Sequence, residues 1–165
     1  MELDQLRNQT FRAFLTAHVR LLEVVSREVK QAGAIPLEWY DVLLTLEEAP
    51  EQRRRMGELA KSLLFSPSGL TRLVDRIEVA GYLRREASQG DRRAIDVSLT
   101  EAGREARRRT WPIYARAIDK HFGRFLSDSE ARMLYKVLER LITAHPESAT
   151  RDREAGAQAT FDGDE

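Results

Sequence analysis

Residues 66–78 read SPSGLTRLVDRIE, and this stretch predicts a helix with one buried face. Ser66 followed by Pro67 is typical of a helix start, because serine caps the first turn and proline suits the first helical position. Apolar residues then recur at steps of three and four, namely Leu70, Leu73, Val74 and Ile77. Gly81 suits the left-handed position that ends a helix. We therefore expect one helix over residues 66–80.

The other face of this helix is polar and presents hydroxyls and arginines to solvent. The outward residues are Ser68, Thr71, Arg72, Asp75 and Arg76. Near the helix start, the side chain of Ser66, the neighbouring hydroxyls and unpaired backbone N–H groups can bind phosphate. Arg72 or Arg76 can contact a base edge or the backbone of DNA. The alternative is that both arginines form surface ion pairs with Asp75 or Glu78.

A short helix precedes this one and a β-hairpin follows it. The short helix is predicted over residues 56–64, and a period-two pattern over residues 82–99 surrounds the polar turn Ser88-Gln89-Gly90-Asp91. Arg92 and Arg93 lie at the charged tip of this hairpin. In such an arrangement the second helix fits the DNA major groove and the hairpin reaches the adjacent minor groove, where arginine is favoured.

Amphipathic helices come before this segment. The first has its apolar positions between Leu3 and Val29 and ends near Gly33. A second helix begins at Leu37 and is closed by Ala49-Pro50. The three arginines at residues 53–55 then read as a short basic linker.

Two more helices follow the hairpin. Thr100 caps a long helix in which Pro112 either bends the axis or marks a break. Ser127 and Glu130 have the spacing of a capping box, which predicts a last helix that ends before Pro146.

The predicted fold is mainly α with a small β-hairpin wing, a winged helix-turn-helix plus a helical dimerisation region. We expect the winged module at residues 37–99 and the dimerisation region at residues 1–36 and 100–145. Residues 146–165 are small, polar and acidic, which predicts a disordered tail. The wide apolar faces of the flanking helices exceed what the small module can cover, so they should pack across a two-fold homodimer interface. Packing within one subunit is the alternative.

Composition excludes several classes of protein. The 165 residues are 42% hydrophobic and 33% charged, without an apolar run that could cross a membrane or a secretory signal, so we expect a cytoplasmic protein. The absence of cysteine excludes disulfides and thiol chemistry. The formal net charge is zero, but residues 52–109 contain 14 Arg and Lys against 8 Asp and Glu. This local basic surplus is compatible with a polyanionic partner.

An ordered series of motifs resembles the MarR (multiple antibiotic resistance regulator) family. The motifs are MGELA at 56–60, SPSGLTRLVDRIE at 66–78, GYLRR at 81–85, DRRA at 91–94 and LTEAG at 99–103. The resemblance implies a homodimer built from the terminal helices, with two winged modules that read the half-sites of a palindrome. It also implies that Asp91 of the family's Asp-x-Arg wing motif orients Arg93 for the minor groove.

The same resemblance implies a small, mainly aromatic or phenolic effector bound between the dimerisation helices and the winged module. Candidate residues for such a pocket are Phe14, His18, Trp39, Tyr40 and Tyr114. Core packing is the alternative for all five. Three scattered histidines without cysteine indicate no metal site, and we expect no cofactor.

We therefore predict a sequence-specific regulator, whose partners are double-stranded DNA, a second copy of itself and the small effector. A repressor is favoured, with an activator as the alternative, since the choice depends on where the operator lies relative to the promoter. An enzyme is disfavoured because no nucleotide-binding loop or metal-binding helix motif is present. The remaining alternative is a winged-helix protein-interaction module without sequence-specific DNA binding.

Overall fold

The computed structural model describes residues 4–63, 65–88 and 91–145, and for residues 67 and 91–93 it describes the backbone alone. The α-helices in these residues are α1 (Gln5–Gln31), α2 (Leu37–Glu47), α3 (Met56–Leu63), α4 (Pro67–Val79), α5 (Glu101–His121) and α6 (Asp128–Ala144), and short 3-10 helices lie at Pro50–Gln52 and Gly123–Phe125. The strands are β1 (Arg53–Arg55), β2 (Leu83–Ser88) and β3 (Asp91–Leu99). The predicted disordered tail, residues 146–165, lies outside the described residues. None of the described helices is long and apolar enough to cross a membrane.

Both ends of α4 follow the local sequence as predicted. The Ser66 hydroxyl accepts a hydrogen bond from the backbone N–H of Gly69 at 3.1 Å. At the other end Gly81 has a φ of +78°, and its N–H donates to the carbonyl of Glu78 at 2.8 Å. The N–H of Tyr82 donates to the carbonyl of Ile77 at 3.1 Å. These two bonds satisfy carbonyls that the helix end would otherwise leave unpaired.

The later helices also begin where the sequence predicts. The Thr100 hydroxyl caps α5 by accepting from the N–H of Gly103 at 3.1 Å, and Ser127 with Glu130 forms the expected capping box of α6. Pro112 lies inside α5, which is continuous from Glu101 to His121. The alternative of a break at Pro112 is therefore wrong.

The wing belongs to a three-stranded antiparallel sheet of order β1-β3-β2. Arg53, Arg54 and Arg55, expected to be a linker, form β1 and pair with Ser98, Val97 and Asp96 of β3. The prediction of a linker was wrong because three residues are too short to show a period, and their strand form depends on a partner more than 40 positions later in the chain. The sheet therefore ties the wing to the start of α3.

Two clusters of buried side chains organise the molecule. The larger one joins α2, α3, α4 and the sheet, and its fully buried members include Leu43, Leu46, Leu59, Leu70, Leu73, Val74, Ile77 and Val97. The smaller one joins α1, α2 and α5 through Val25, Val29, Leu37 and Ala117. Helix α2 contributes residues to both clusters, and α5 packs against both α1 and α2, so α5 connects the winged module to α1. The predicted division into a module and a dimerisation region stays a prediction.

Candidate nucleic-acid interface

The exposed face of α4 is the centre of the candidate site. Its opposite face is anchored in the core, since Leu70, Val74 and Ile77 are fully buried. Of the residues predicted to face outward, Ser68, Thr71, Arg72 and Arg76 are exposed, whereas Asp75 is half-buried. A helix held this firmly on one side can present the other side to a ligand without changing its orientation.

The start of α4 collects hydroxyl groups. Ser66 is half-buried because its oxygen caps the helix, and this oxygen lies 3.3 Å from the hydroxyl of the exposed Ser68. Phe65, just before the cap, is buried, and its N–H donates to the carbonyl of Ala60 in α3 at 3.1 Å. The turn between α3 and α4 is thereby fixed. The hydroxyls of Ser66 and Ser68 thus lie together at the N-terminal end of α4, where the helix dipole favours a phosphate.

The carboxylates on α4 have a partner that the sequence analysis missed. Arg85 of β2 forms ion pairs with Asp75 and Glu78, each at 2.6 Å. Its backbone N–H and its Nε also donate to Glu78, each at 2.8 Å. In the described part of the chain Arg72 makes no ion pair with either carboxylate. The signal available in the sequence was the period of β2, which places Arg85 on the same side as the buried Leu83.

These contacts also set the electrostatics of α4. The hydrogen bond with Glu78 raises the pKa of Arg85 most strongly, burial opposes this rise in part, and the hydrogen bond with Asp75 raises the pKa further. Arg85 stays protonated in any case, so its positive charge stays beside the two carboxylates and offsets one of their two negative charges.

The wing extends away from the core along β2 and β3. Leu83 pairs with Leu99 and Ala87 with Ile95, and the register shifts between Ala87 and Ser88, which pairs with Asp91. Arg93 therefore lies four residues beyond the buried Val97, about 13 Å further along the strand. The side chains of Asp91, Arg92 and Arg93 lie outside the described residues. Their roles in DNA binding stay predictions.

Part of the basic surplus in the middle of the chain is structural. Arginines there that pair with carboxylates are Arg53 with Glu51, Arg84 with Glu86, Arg85 with Asp75 and Glu78, Arg104 with Glu101, and Arg107 with Glu47. The Arg107–Glu47 pair is the least exposed, at 17% and 19%, and it joins α5 to α2. Counting charges therefore overstates the arginines available to a polyanion.

The five candidate effector residues fall into three places. Phe14 and His18 stack at 6.4 Å on α1, where both are exposed. Trp39 packs edge-on against Tyr82 at 6.1 Å. Tyr40 and Tyr114 meet edge-on at 5.2 Å between α2 and α5, and the exposed Trp111, which the sequence analysis missed, stacks on Tyr40 at 6.3 Å. The structure thus divides the five residues into two separate pairs and the single Trp39.

A separate crevice of about 630 Å³ lies between α1 and the end of α5. Its lining includes Arg12, Arg20, Leu21, His121, Phe122 and Phe125. Beside it His121 and Lys120 contact Glu28 at 2.7 Å and 2.9 Å. The described residues contain no cluster of three side chains that could hold a metal ion.

The family and its members give independent evidence. The MarR family model matches residues 35–94. A crystal structure of Sco3205, a MarR family transcriptional regulator from Streptomyces coelicolor in complex with DNA, is similar with a TM-score of 0.83 and 27% identity over 92% of this chain and 94% of that chain. The transcriptional repressor MprA of Escherichia coli K12 is 29% identical over 124 residues, 75% of this chain and 69% of its own. The uncharacterized regulator YkoM of Bacillus subtilis is 27% identical over 124 residues, 75% of this chain and 79% of its own.

The resemblance noted in the sequence is therefore confirmed by a family model, by relatives and by the fold. The matched segment runs from the residues before α2 into β3, so it contains α4 and the first half of the wing. Residues 35–94 of this chain therefore match the MarR family, and the chain as a whole has the fold of MarR family transcription regulators, which are not enzymes.

Proposed function

We propose that this protein is a sequence-specific DNA-binding repressor that acts as a homodimer on a pseudo-palindromic operator. In this proposal α4 enters the major groove, and the tip of the wing enters the adjacent minor groove. The observation that carries it is the exposed face of α4, where Ser68, Thr71 and Arg72 stand over a fully buried apolar stripe. The DNA complex of the similar Sco3205 supports it.

The homodimer is supported by apolar surface that nothing in the described chain covers. None of the residues of α6 is buried in the described structure, although Met133, Leu141 and Ile142 are large and apolar. On α1 the exposed apolar residues are Leu6, Phe11, Phe14, Leu15, Val19 and Leu22. Patches of this extent on a monomer are typical of an interface. A two-fold axis through them gives two copies of α4 and hence two half-sites.

Repression and its relief by a small aromatic or phenolic effector are the finer parts of the proposal. The repressor MprA, a relative of similar sequence, supports the first. For the effector, the aromatic group of Tyr40, Trp111 and Tyr114 supplies apolar faces between α2 and α5. Arg107 lies beside it, with a guanidinium nitrogen 3.4 Å from the Tyr40 hydroxyl. A ligand that altered this contact would change how the winged module sits on α5.

A fluorescence-anisotropy titration tests DNA binding. The purified protein is titrated with its own upstream intergenic DNA and with a scrambled duplex, each at two salt concentrations. We expect tight binding to the first, a large specificity ratio and a steep salt dependence. Equal, weak binding to both duplexes would favour the protein-interaction module.

Operator affinities of alanine variants test which arginines contact DNA. Arg72→Ala and Arg93→Ala should each weaken operator binding by about 1–3 kcal/mol, or about 5- to 150-fold. Arg27→Ala is the matched control, because Arg27 is exposed on α1 and pairs with Glu23. Equal affinities of all three variants and the wild type would contradict the assignment of α4 and the wing as the DNA-binding surface.

A further inference from the structure

We infer that Arg85 is a positioning residue, which holds the wing at a fixed orientation to α4 and holds Asp75 and Glu78 away from the DNA. The inference rests on the proposed function and deepens it. Arg85 touches no DNA in this inference, and its effect on recognition passes through the elements that it joins.

The contacts of Arg85 link β2 to α4 at several points. Its backbone N–H and its Nε donate to the two carboxylate oxygens of Glu78 at 2.8 Å. Its two terminal nitrogens lie 2.6 Å from Glu78 and from Asp75. A planar guanidinium with a fixed fork of donors resists rotation when both sides are engaged. Beside the buried Leu83, which packs in the same core as α4, Arg85 therefore sets the orientation of β2 against α4.

Because of the position of Arg85 in the sheet, a small rotation of β2 at this residue would displace the tip of the wing. Arg85 pairs with Val97 of β3, which is fully buried in the larger core. Beyond this pair the strands leave the core, and Arg93 lies about 13 Å further out. A rotation of about 10° at Arg85 would move the tip by about 2 Å, a third of a minor groove about 6 Å wide.

The second effect is electrostatic. Asp75 lies on α4 between Arg72 and Arg76, so its carboxylate stands within the surface that would face DNA. An unpaired carboxylate there would repel phosphate, and it could pair with Arg72 one turn away. Asp75 and Glu78 are 48% and 31% exposed, but both are turned to Arg85. Arg85 thus prevents a competition for the arginine that reads DNA.

The first test measures the orientation of the wing without DNA. Because the chain has no cysteine, Ser68→Cys and Gln89→Cys provide two sites for spin labels in each subunit, one at the start of α4 and one between β2 and β3, and an excess of unlabelled protein restricts the measurement to the distance within one subunit. We expect a narrow distance distribution in the otherwise wild-type protein and a broader or shifted one with Arg85→Met. Arg84→Met is the matched control, since Arg84 contacts Ser98 and Glu86 instead of α4. An unchanged distribution with Arg85→Met would overturn the inference, whatever the protein binds.

The second test uses the operator found by titration. Arg85→Met should lower operator affinity at least tenfold and remove hydroxyl-radical protection of the outer minor grooves, while guanine N7 protection in the major groove persists. Arg84→Met should keep both protections. Retention of the minor-groove protection with Arg85→Met would overturn the inference. If the wild-type protein itself gives no footprint, the proposed function fails, and the distance measurement still decides whether Arg85 holds the wing.

A triple variant separates positioning from neutralisation. Arg85→Met combined with Asp75→Asn and Glu78→Gln removes all three charges and leaves side chains of similar size. Positioning predicts that minor-groove protection stays lost, and full recovery would show that Arg85 acts by charge alone. If Arg85→Met does not fold by circular dichroism, Arg85→Lys, which keeps the charge without the fork, replaces it, with the same expected loss and the same refuting outcome.

Discussion

Replacing Gly103 with alanine should force the first turn of α5 away from the root of the wing. A Cβ at this position would lie 2.0 Å from the carbonyl oxygen of Tyr82 and 3.0 Å from Cδ1 of Leu99, whereas ordinary contact begins at 3.4 Å. The helix would have to move by about 1 Å, since the obstacle is backbone. This movement would weaken two hydrogen bonds of Thr100. Its backbone N–H donates to the carbonyl of Tyr82 at 3.2 Å, and its hydroxyl donates to the carbonyl of Gly81 at 2.7 Å.

The size of the effect follows from these contacts. Overpacking costs about 1–3 kcal/mol, and weakening of the two hydrogen bonds about 0.5–1.5 kcal/mol each. Alanine has a higher helix propensity than glycine, which stabilises the folded protein by up to about 1 kcal/mol and offsets part of this cost. Gly103→Ala should therefore lower the free energy of unfolding by about 3 kcal/mol, within a range of about 1–5 kcal/mol, a large part of the stability of a typical domain.

Urea unfolding followed by circular dichroism, at one fixed protein concentration, measures this difference. Gly57→Ala is the matched control, because Gly57 is also helical and a Cβ there meets nothing within 4 Å. It should be neutral or stabilising by up to about 1 kcal/mol. If Gly103→Ala proved as stable as Gly57→Ala, the argument that α5 presses on the root of the wing would be refuted.

Three further predictions concern other contacts. Glu47→Gln should lower the free energy of unfolding by about 1–3 kcal/mol, since it leaves the mostly buried guanidinium of Arg107 without its carboxylate, and an unchanged urea midpoint would contradict this. Ser66→Ala should cost about 0.5–2 kcal/mol through loss of the α4 cap, as thermal unfolding would show. Hydrogen bonds with Lys120 and with the imidazole of His121 lower the pKa of Glu28 below its usual 4.5. Its contribution to stability is present above pH 4.5 and is lost as the pH falls through the lowered pKa, so wild type and Glu28→Gln should converge in acid, and a constant difference down to low pH would refute the assignment.

Local signals predicted the helices well. Ser66 with Pro67, Gly81 and the pair of Ser127 and Glu130 mark helix ends in the sequence, and each does so in the structure. Capping involves atoms within about one turn of the chain, so a short window of sequence contains every participant. The buried stripe of α4 was predicted for the same reason, because a period of 3.6 residues places its members on one side of the helix.

Contacts between distant segments were not predicted. Nothing near Arg53–Arg55 indicates a strand, since the pairing depends on β3. For Asp75 and Glu78 the sequence analysis considered ion pairs with Arg72 and Arg76 as an alternative, because those are near in sequence, and it did not consider Arg85. The candidate effector residues were grouped by type, and the structure separates Phe14 and His18 from the rest because an exposed helix face carries them.

The sequence by itself therefore determined the order and ends of the helices, the alternation of the wing and the family, all of which depend on residue types at short and regular spacing. Only the tertiary structure decided which charges face solvent, which arginines are engaged in ion pairs and how α5 connects the winged module to α1. The physical reason is range. Capping and periodicity act within a few residues, whereas ion pairs and sheet pairing join residues that only the folded chain brings together.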